Sequence, residues 1–295
     1  MTLFTINLSS EKLHKQTEVN VLLPGNAGKA AGLKTIWLLH GMTDDHTGWL
    51  RRSEIEVLAE KYNVCVVMPN ADLSFYTNMA FGADYFDYLA DELPAFLRRF
   101  FPISDKKEDN SIAGISMGGY GAFHIAMNRP ENYGAAVSLS GPMRIAWIHK
   151  TLSNEELALS CRNPDGGLAE EVIDGFGSRN NIPVKLVSSL MEFGDTCTTR
   201  IFKGMFGPDT CLDGTSLDIF HLAEKLAGSD TALRLIAYCG EEDYHYESNR
   251  IFAKYASDIG LDYKLETGSG KHTWQYWNGK IPKMMELLFS GGICE

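Results

Sequence analysis

The chain has 295 residues, with 44% hydrophobic and 22% charged content. That is enough for one large core and too ordinary for a disordered or fibrous protein. A formal net charge of -11 argues against a polyanionic partner, because nucleic-acid affinity comes largely from phosphate neutralisation by Lys and Arg.

Met1 to Ser10 alternates polar and apolar residues, with no basic region ahead of a long apolar core, so it reads as a strand and not a signal peptide. Nowhere do about 18 apolar residues run together, as a membrane span would need. The expectation is a soluble, cytoplasmic protein. Six cysteines are scattered without a C-x-x-C pair, and Cys65 and Cys239, inside apolar runs, read as buried thiols.

In chain order, Leu3 to Leu8 and Val19 to Leu23 alternate with period two and are followed by the turn-rich Pro24-Gly25-Asn26, which predicts a hairpin-like antiparallel pair. Gly28-Lys29 is not a P-loop, because neither Ser nor Thr follows the lysine.

From residue 35 short continuous apolar runs alternate with helical patterns, as parallel strands covered by helices on both faces require. The runs are Ile36 to Leu39, Val64 to Met68, Ile112 to Ile115, Ala135 to Leu139, Leu233 to Tyr238 and Tyr263 to Leu265. Helices are predicted near 53–62, 84–100, 117–128, 247–258 and 273–289. Pro94 should kink or restart the second of them. The interval from Gly141 to about Leu226 breaks the rhythm with Asn163-Pro164-Asp165-Gly166-Gly167, Gly175, Gly177 and Gly207-Pro208, and reads as an insertion that can form a lid. The whole, 1–295, is expected to be a single α/β domain.

Gly114-Ile115-Ser116-Met117-Gly118 is a G-x-S-x-G pentapeptide where a predicted strand meets a predicted helix. A sharp turn there would lift the Ser116 hydroxyl above the sheet and over a helix N-terminus, the position of a nucleophile in an α/β-hydrolase fold. The strand Ile36 to Leu39 ends in His40-Gly41-Met42, and the amides of Met42 and Met117 are the expected oxyanion donors. His40 reads as a packed residue orienting this corner.

In this fold the order is Ser, acid, His. His272, in a loop after the last predicted strand, fits the base; His14 and His46 come too early, His124 falls in the helix after Ser116, and His149 and His221 precede the acid. His245 is the one rival, read as a surface or loop residue. Cys239-Gly240-Glu241-Glu242-Asp243 follows a strand, and Asp243 is the chosen acid, with Glu241 and Glu242 as substitutes. Trp49, Tyr76 and Trp277 are candidates to line the substrate pocket, with aromatic core packing as the alternative.

Assembled, the sequence resembles the esterase D-like family of α/β-hydrolases, and within it the bacterial tributyrin esterases. The resemblance rests on Leu38-Leu39-His40-Gly41-Met42, Val67-Met68-Pro69-Asn70, Tyr76-Thr77, the Gly114 to Gly121 elbow, Ser138-Leu139-Ser140-Gly141, Cys239 to Asp243 and His272-Thr273-Trp274-Gln275-Tyr276-Trp277. It implies that Ser116, Asp243 and His272 take the family's nucleophile, acid and base positions, that short-chain acyl esters are hydrolysed, and that no metal or organic cofactor takes part. The partner expected is a small-molecule ester, with homo-oligomerisation left open. An S-formylglutathione hydrolase-like thioesterase, an acyltransferase and a noncatalytic binding module are the competing readings.

Overall fold

The computed structural model describes residues 1–25, 32–153 and 196–290. Eight strands form one sheet: β1 (Thr2–Ser10), β2 (Lys15–Leu23), β3 (Thr35–Leu39), β4 (Cys65–Pro69), β5 (Asn110–Ile115), β6 (Ala135–Leu139), β7 (Arg234–Gly240) and β8 (Tyr263–Gly268). Their order is β1-β2-β4-β3-β5-β6-β7-β8. β1 and β2 pair antiparallel, β2 is antiparallel to β4, and every pair from β4 to β8 is parallel. This is the α/β-hydrolase architecture expected, mostly parallel with an antiparallel pair at its start. The first hairpin turns at Glu11–His14, ahead of the Pro24-Gly25 stretch, with His14 left-handed at φ 54°. Gly28-Lys29 lies outside the described residues.

β3, β4, β5 and β6 are buried along their whole length. A strand covered on both faces needs apolar residues at every position, which explains the unbroken runs. Alternate residues serve opposite faces. Trp37, Leu39 and Val67 join one core with the helix Met117–Asn128, while Ile36, Leu38 and Val66 join another with the helices Ile55–Tyr62 and Trp274–Phe289. β8 is an edge strand with mixed polar residues, so its apolar signal covered only part of it.

The helical stretch from Tyr85 does not run uniformly to residue 100. It passes through a π turn at Tyr88–Glu92 before continuing as Leu93–Leu97. Proline cannot donate to a carbonyl four residues back, and the ladder adjusts just before it, Leu93 N–H reaching Tyr88 O.

Of the interval 141–226, the structure describes the helices Ile145–Ser153, Thr196–Phe206 and Ile219–Ala227. The turn-rich residues at 163–181 lie outside the described ones. Cys65 and Cys239 are free and buried. No helix among the described residues is long and apolar enough to cross a membrane.

Candidate active site

β5 runs at the middle of the sheet and ends in a turn so tight that Ser116 takes φ 52° and ψ -119°. Such a conformation costs a non-glycine residue about 1–3 kcal/mol and persists only where the surroundings force it. Here Ser116 N–H donates to Leu139 O at 2.8 Å, and Ser116 O accepts from Gly119 N–H at 2.8 Å. The turn also requires bare backbone. A Cβ on Gly114 would lie 2.1 Å from Gly118 O, and one on Gly118 would lie 2.3 Å from Leu39 O.

The loop after β8 brings His272 over this serine. Ser116 Oγ is 2.8 Å from His272 Nε2, and His272 Nδ1 is 2.9 Å from Asp243 Oδ2 and 3.1 Å from Oδ1. A carboxylate only accepts, so Nδ1 carries the ring proton and Nε2 presents a lone pair to the serine hydroxyl. Three side chains from the ends of β5, β7 and β8 thus form one hydrogen-bonded chain.

Asp243 is almost fully buried. Burial pushes its carboxyl up, but the hydrogen bond and charge of His272 and the backbone N–H of His245 at 2.8 Å outweigh it, leaving that carboxyl below its ordinary range. Asp243 is therefore ionised where it faces the imidazole.

Glu241 and Glu242 point elsewhere. Glu242 accepts from Gly270 N–H and, at 3.1 Å, from the Ser269 hydroxyl; Glu241 accepts from Thr267 Oγ1 at 3.3 Å. With Glu241 N–H on Gly268 O and Glu242 N–H on Gly270 O, the acidic run stitches down the loop that carries His272.

A cavity of about 280 Å³ opens on Ser116 and His272. The sequence family described as "Putative esterase" matches residues 10–288. The chain belongs to this esterase family. It is 27% identical to an acetyl esterase of Caldicellulosiruptor saccharolyticus, with 98% of each chain covered. Among solved structures it resembles the fluorophosphonate-binding serine hydrolase FphF of Staphylococcus aureus, with 27% identity, TM-score 0.76 and 98% of each chain covered. It also resembles the S-formylglutathione hydrolase FrmB of the same organism, with 27% identity, TM-score 0.75 and the same coverage. The protein is accordingly a serine hydrolase of the carboxylic ester class.

In this esterase the cavity wall is largely apolar: Met42, Phe75, Ile145, Ile148, Phe202 and Trp277 line it, with Asp44 and Arg52 among its polar residues. Trp277 lines the cavity, its ring edge-on to His272 at 5.0 Å and its indole N–H on Ser140 Oγ at 3.0 Å.

The other two candidate pocket aromatics are corrected. Trp49 is 1% exposed and donates its indole N–H to Leu39 O at 3.1 Å; Tyr76 is 0% exposed and donates its hydroxyl to His40 O at 2.7 Å. Both hold main chain behind the cavity, and their neighbours in contact and sequence, Trp274 and Phe75, reach it instead.

His245 is also corrected. It is buried, 5.3 Å from the His272 ring, and lines the cavity; burial first, then the neighbouring His272 charge, push its imidazole down to about 3. A buried, neutral imidazole next to His272 is not visible in the sequence.

Met117 begins the helix after Ser116, and Met42 sits at the corner after β3. That corner touches the serine, since a Cβ on Gly41 would be 3.6 Å from Ser116 Cβ. Phe75, Tyr244 and Phe202 carried no usable signal: the first lies beside a wrongly chosen tyrosine, the second beside the acid, and the third in the irregular interval.

Proposed function

We propose that this esterase hydrolyses short-chain acyl esters by a Ser-His-Asp mechanism. Ser116, losing its proton to His272 Nε2, attacks the ester carbonyl; the Met42 and Met117 amides take up the charge on the carbonyl oxygen; and His272 returns the proton to the departing alcohol. Water then attacks the acyl-enzyme by the same route, restoring the free hydroxyl and releasing the acid. Asp243 orients His272 and balances its charge while it is protonated. No metal or organic cofactor enters this scheme.

The observation that carries the reading is the unbroken set of hydrogen bonds from Ser116 through His272 to Asp243 at the mouth of an apolar cavity. In the same reading the chain is one α/β-hydrolase domain, and the described parts of the 141–226 interval wall the acyl site through Pro142, Ile145, Ile148 and Phe202.

Ser116→Ala and His272→Ala should each lower hydrolysis of p-nitrophenyl butyrate by about 10⁶-fold while leaving the circular dichroism spectrum intact. Wild-type enzyme should release a burst of p-nitrophenol equal to the enzyme present if deacylation is the slower step. Near-normal turnover in either variant sinks the assignment.

Likeness to the FrmB structure favours one second reading, a thioesterase acting on S-formylglutathione. The same three groups would serve, so the two are separated by comparing kcat/KM for that thioester and for butyrate esters. Adding an alcohol acceptor to the ester assay shows whether transfer competes with hydrolysis.

A further inference from the structure

We propose that His40 and Tyr76 are positioning residues that aim the Met42 amide at the developing oxyanion. This rests on the reading of Met42 N–H as an oxyanion donor.

The Gly41–Met42 peptide is held from its oxygen side. Its oxygen, Gly41 O, accepts from His40 Nδ1 at 2.8 Å and from Asp44 N–H at 3.1 Å. A trans peptide is planar, with N–H and C=O pointing in opposite directions. Two donors clamped on the Gly41 oxygen therefore fix the direction of Met42 N–H on the opposite side of that peptide, at a corner where a Cβ on Gly41 would lie 3.6 Å from Ser116 Cβ.

His40 can make this bond in only one tautomer. Its Nε2 accepts from Ala71 N–H at 2.9 Å, so the proton must be on Nδ1, facing Gly41 O. The ring is 1% exposed, and its burial outweighs the Gly41 carbonyl and the nearby Asp44, Asp45 and Asp72 charges, keeping the imidazole neutral. A protonated ring would set a second donor against Ala71 N–H and lose that anchor.

Tyr76 holds the same residue from the other end through its hydroxyl on His40 O. Its ring occupies the space a Cβ on Gly121 would need, 2.3 Å away, so it also braces the helix that starts beside Ser116. The loop that delivers it is strained: Asp72, Phe75 and Tyr76 have φ of 45°, 49° and 59°. Each such residue costs about 1–3 kcal/mol, and strain of this kind concentrates where geometry has a task. Two consecutive left-handed residues send Phe75 to the cavity and Tyr76 to the corner behind it.

The test compares His40→Leu, His40→Asn and Tyr76→Phe by kcat and KM for p-nitrophenyl butyrate, and by affinity for butane-1-boronic acid, whose serine adduct mimics the tetrahedral state. His40→Leu should lower kcat by about 100-fold with KM nearly unchanged, and boronate affinity should fall in parallel. His40→Asn, whose amide can still donate to Gly41 O, should recover most of that loss. Tyr76→Phe, which removes one oxygen, should lower kcat and boronate affinity by about 5- to 10-fold.

The proposal is overturned if kcat falls while boronate affinity holds, if the loss is in KM, or if His40→Asn folds and is no better than His40→Leu. Should His40→Leu not fold, Tyr76→Phe alone decides by the same two readouts. Replacing Met42 with its α-hydroxy acid, which turns the amide N–H into an ester oxygen, checks the underlying reading. An unchanged kcat there overturns the donor assignment itself. A fall there, with His40→Leu and Tyr76→Phe unaffected, overturns only the bracing role.

Discussion

At the end of β5 the chain turns where side chains are missing; at the end of β3 it turns where distant side chains hold it. The Ser116 elbow depends on Gly114 and Gly118, whose absent Cβ atoms let backbone approach backbone. The corner from Leu39 to Met42 depends on Trp49, bonded to Leu39 O, and on Tyr76 and the Ala71 amide, bonded to His40 O and His40 Nε2. One half of a site can be built by local omission, whose cause is written in the motif itself, and the other by long-range polar contacts, where His40-Gly41-Met42 is visible in the sequence but the residues that hold it are not.

The strongest way to break the comparison is Gly118→Ala, because that glycine lies on the seam between the two regions. Its new Cβ would stand 2.3 Å from Leu39 O and 2.7 Å from His40 O, both main-chain atoms with little freedom to yield. A loss of at least about 3 kcal/mol in urea-measured stability is expected, together with activity. A stable, active Gly118→Ala enzyme would show that the elbow and the corner are not in contact.

Next in size is an acid effect on both regions. His40 at the corner, His124 in the helix after the elbow and His245 beside His272 all have folded pKa values lowered chiefly by burial, the last two to about 3. The unfolded chain binds those protons near pH 6.5, so their neutral burial costs nothing above that pH and stability is lost as pH falls below it. Each contributes about 1.4 kcal/mol per pH unit while only the unfolded state is protonated. Urea midpoints should therefore drop steeply from pH 6.5 toward pH 4, and a flat profile would contradict neutral burial.

The smallest effect separates the two kinds of construction. Trp49→Phe keeps an aromatic ring in the core but removes the indole N–H from Leu39 O, and should cost about 1 kcal/mol in thermal or urea unfolding. A cost several times larger would mean that Trp49 acts through packing and not through that bond.

Much of this was legible beforehand. Strands buried on both faces must be apolar throughout, so β3 to β7 stood out, and Ser116, Asp243 and His272 each sit just beyond a strand's carboxyl end. Edge strand β8 showed only its first residues because one side of it meets water. The π turn before Pro94 was foreseen as a kink but not as a kind of helix, since a missing donor says where the ladder fails and not how it is repaired. Tyr76 is a pocket candidate in the sequence because it lies in the loop beyond a strand's carboxyl end, a place it shares with Phe75. Only the left-handed backbone at both residues separates the direction of one from that of its neighbour.

By itself the amino-acid order determined whatever depends on near neighbours: the apolar runs, the glycines of the elbow, and the succession of serine, acid and histidine along the chain. Tertiary structure alone decided which polar groups meet, that Glu242 secures a loop while Asp243 faces His272, that His245 is buried, and that Trp49 and Tyr76 grip carbonyls instead of substrate. The physical reason is range. A hydrogen bond acts over about 3 Å, and residues 36 or 156 positions apart reach that distance only through the packing of everything between them.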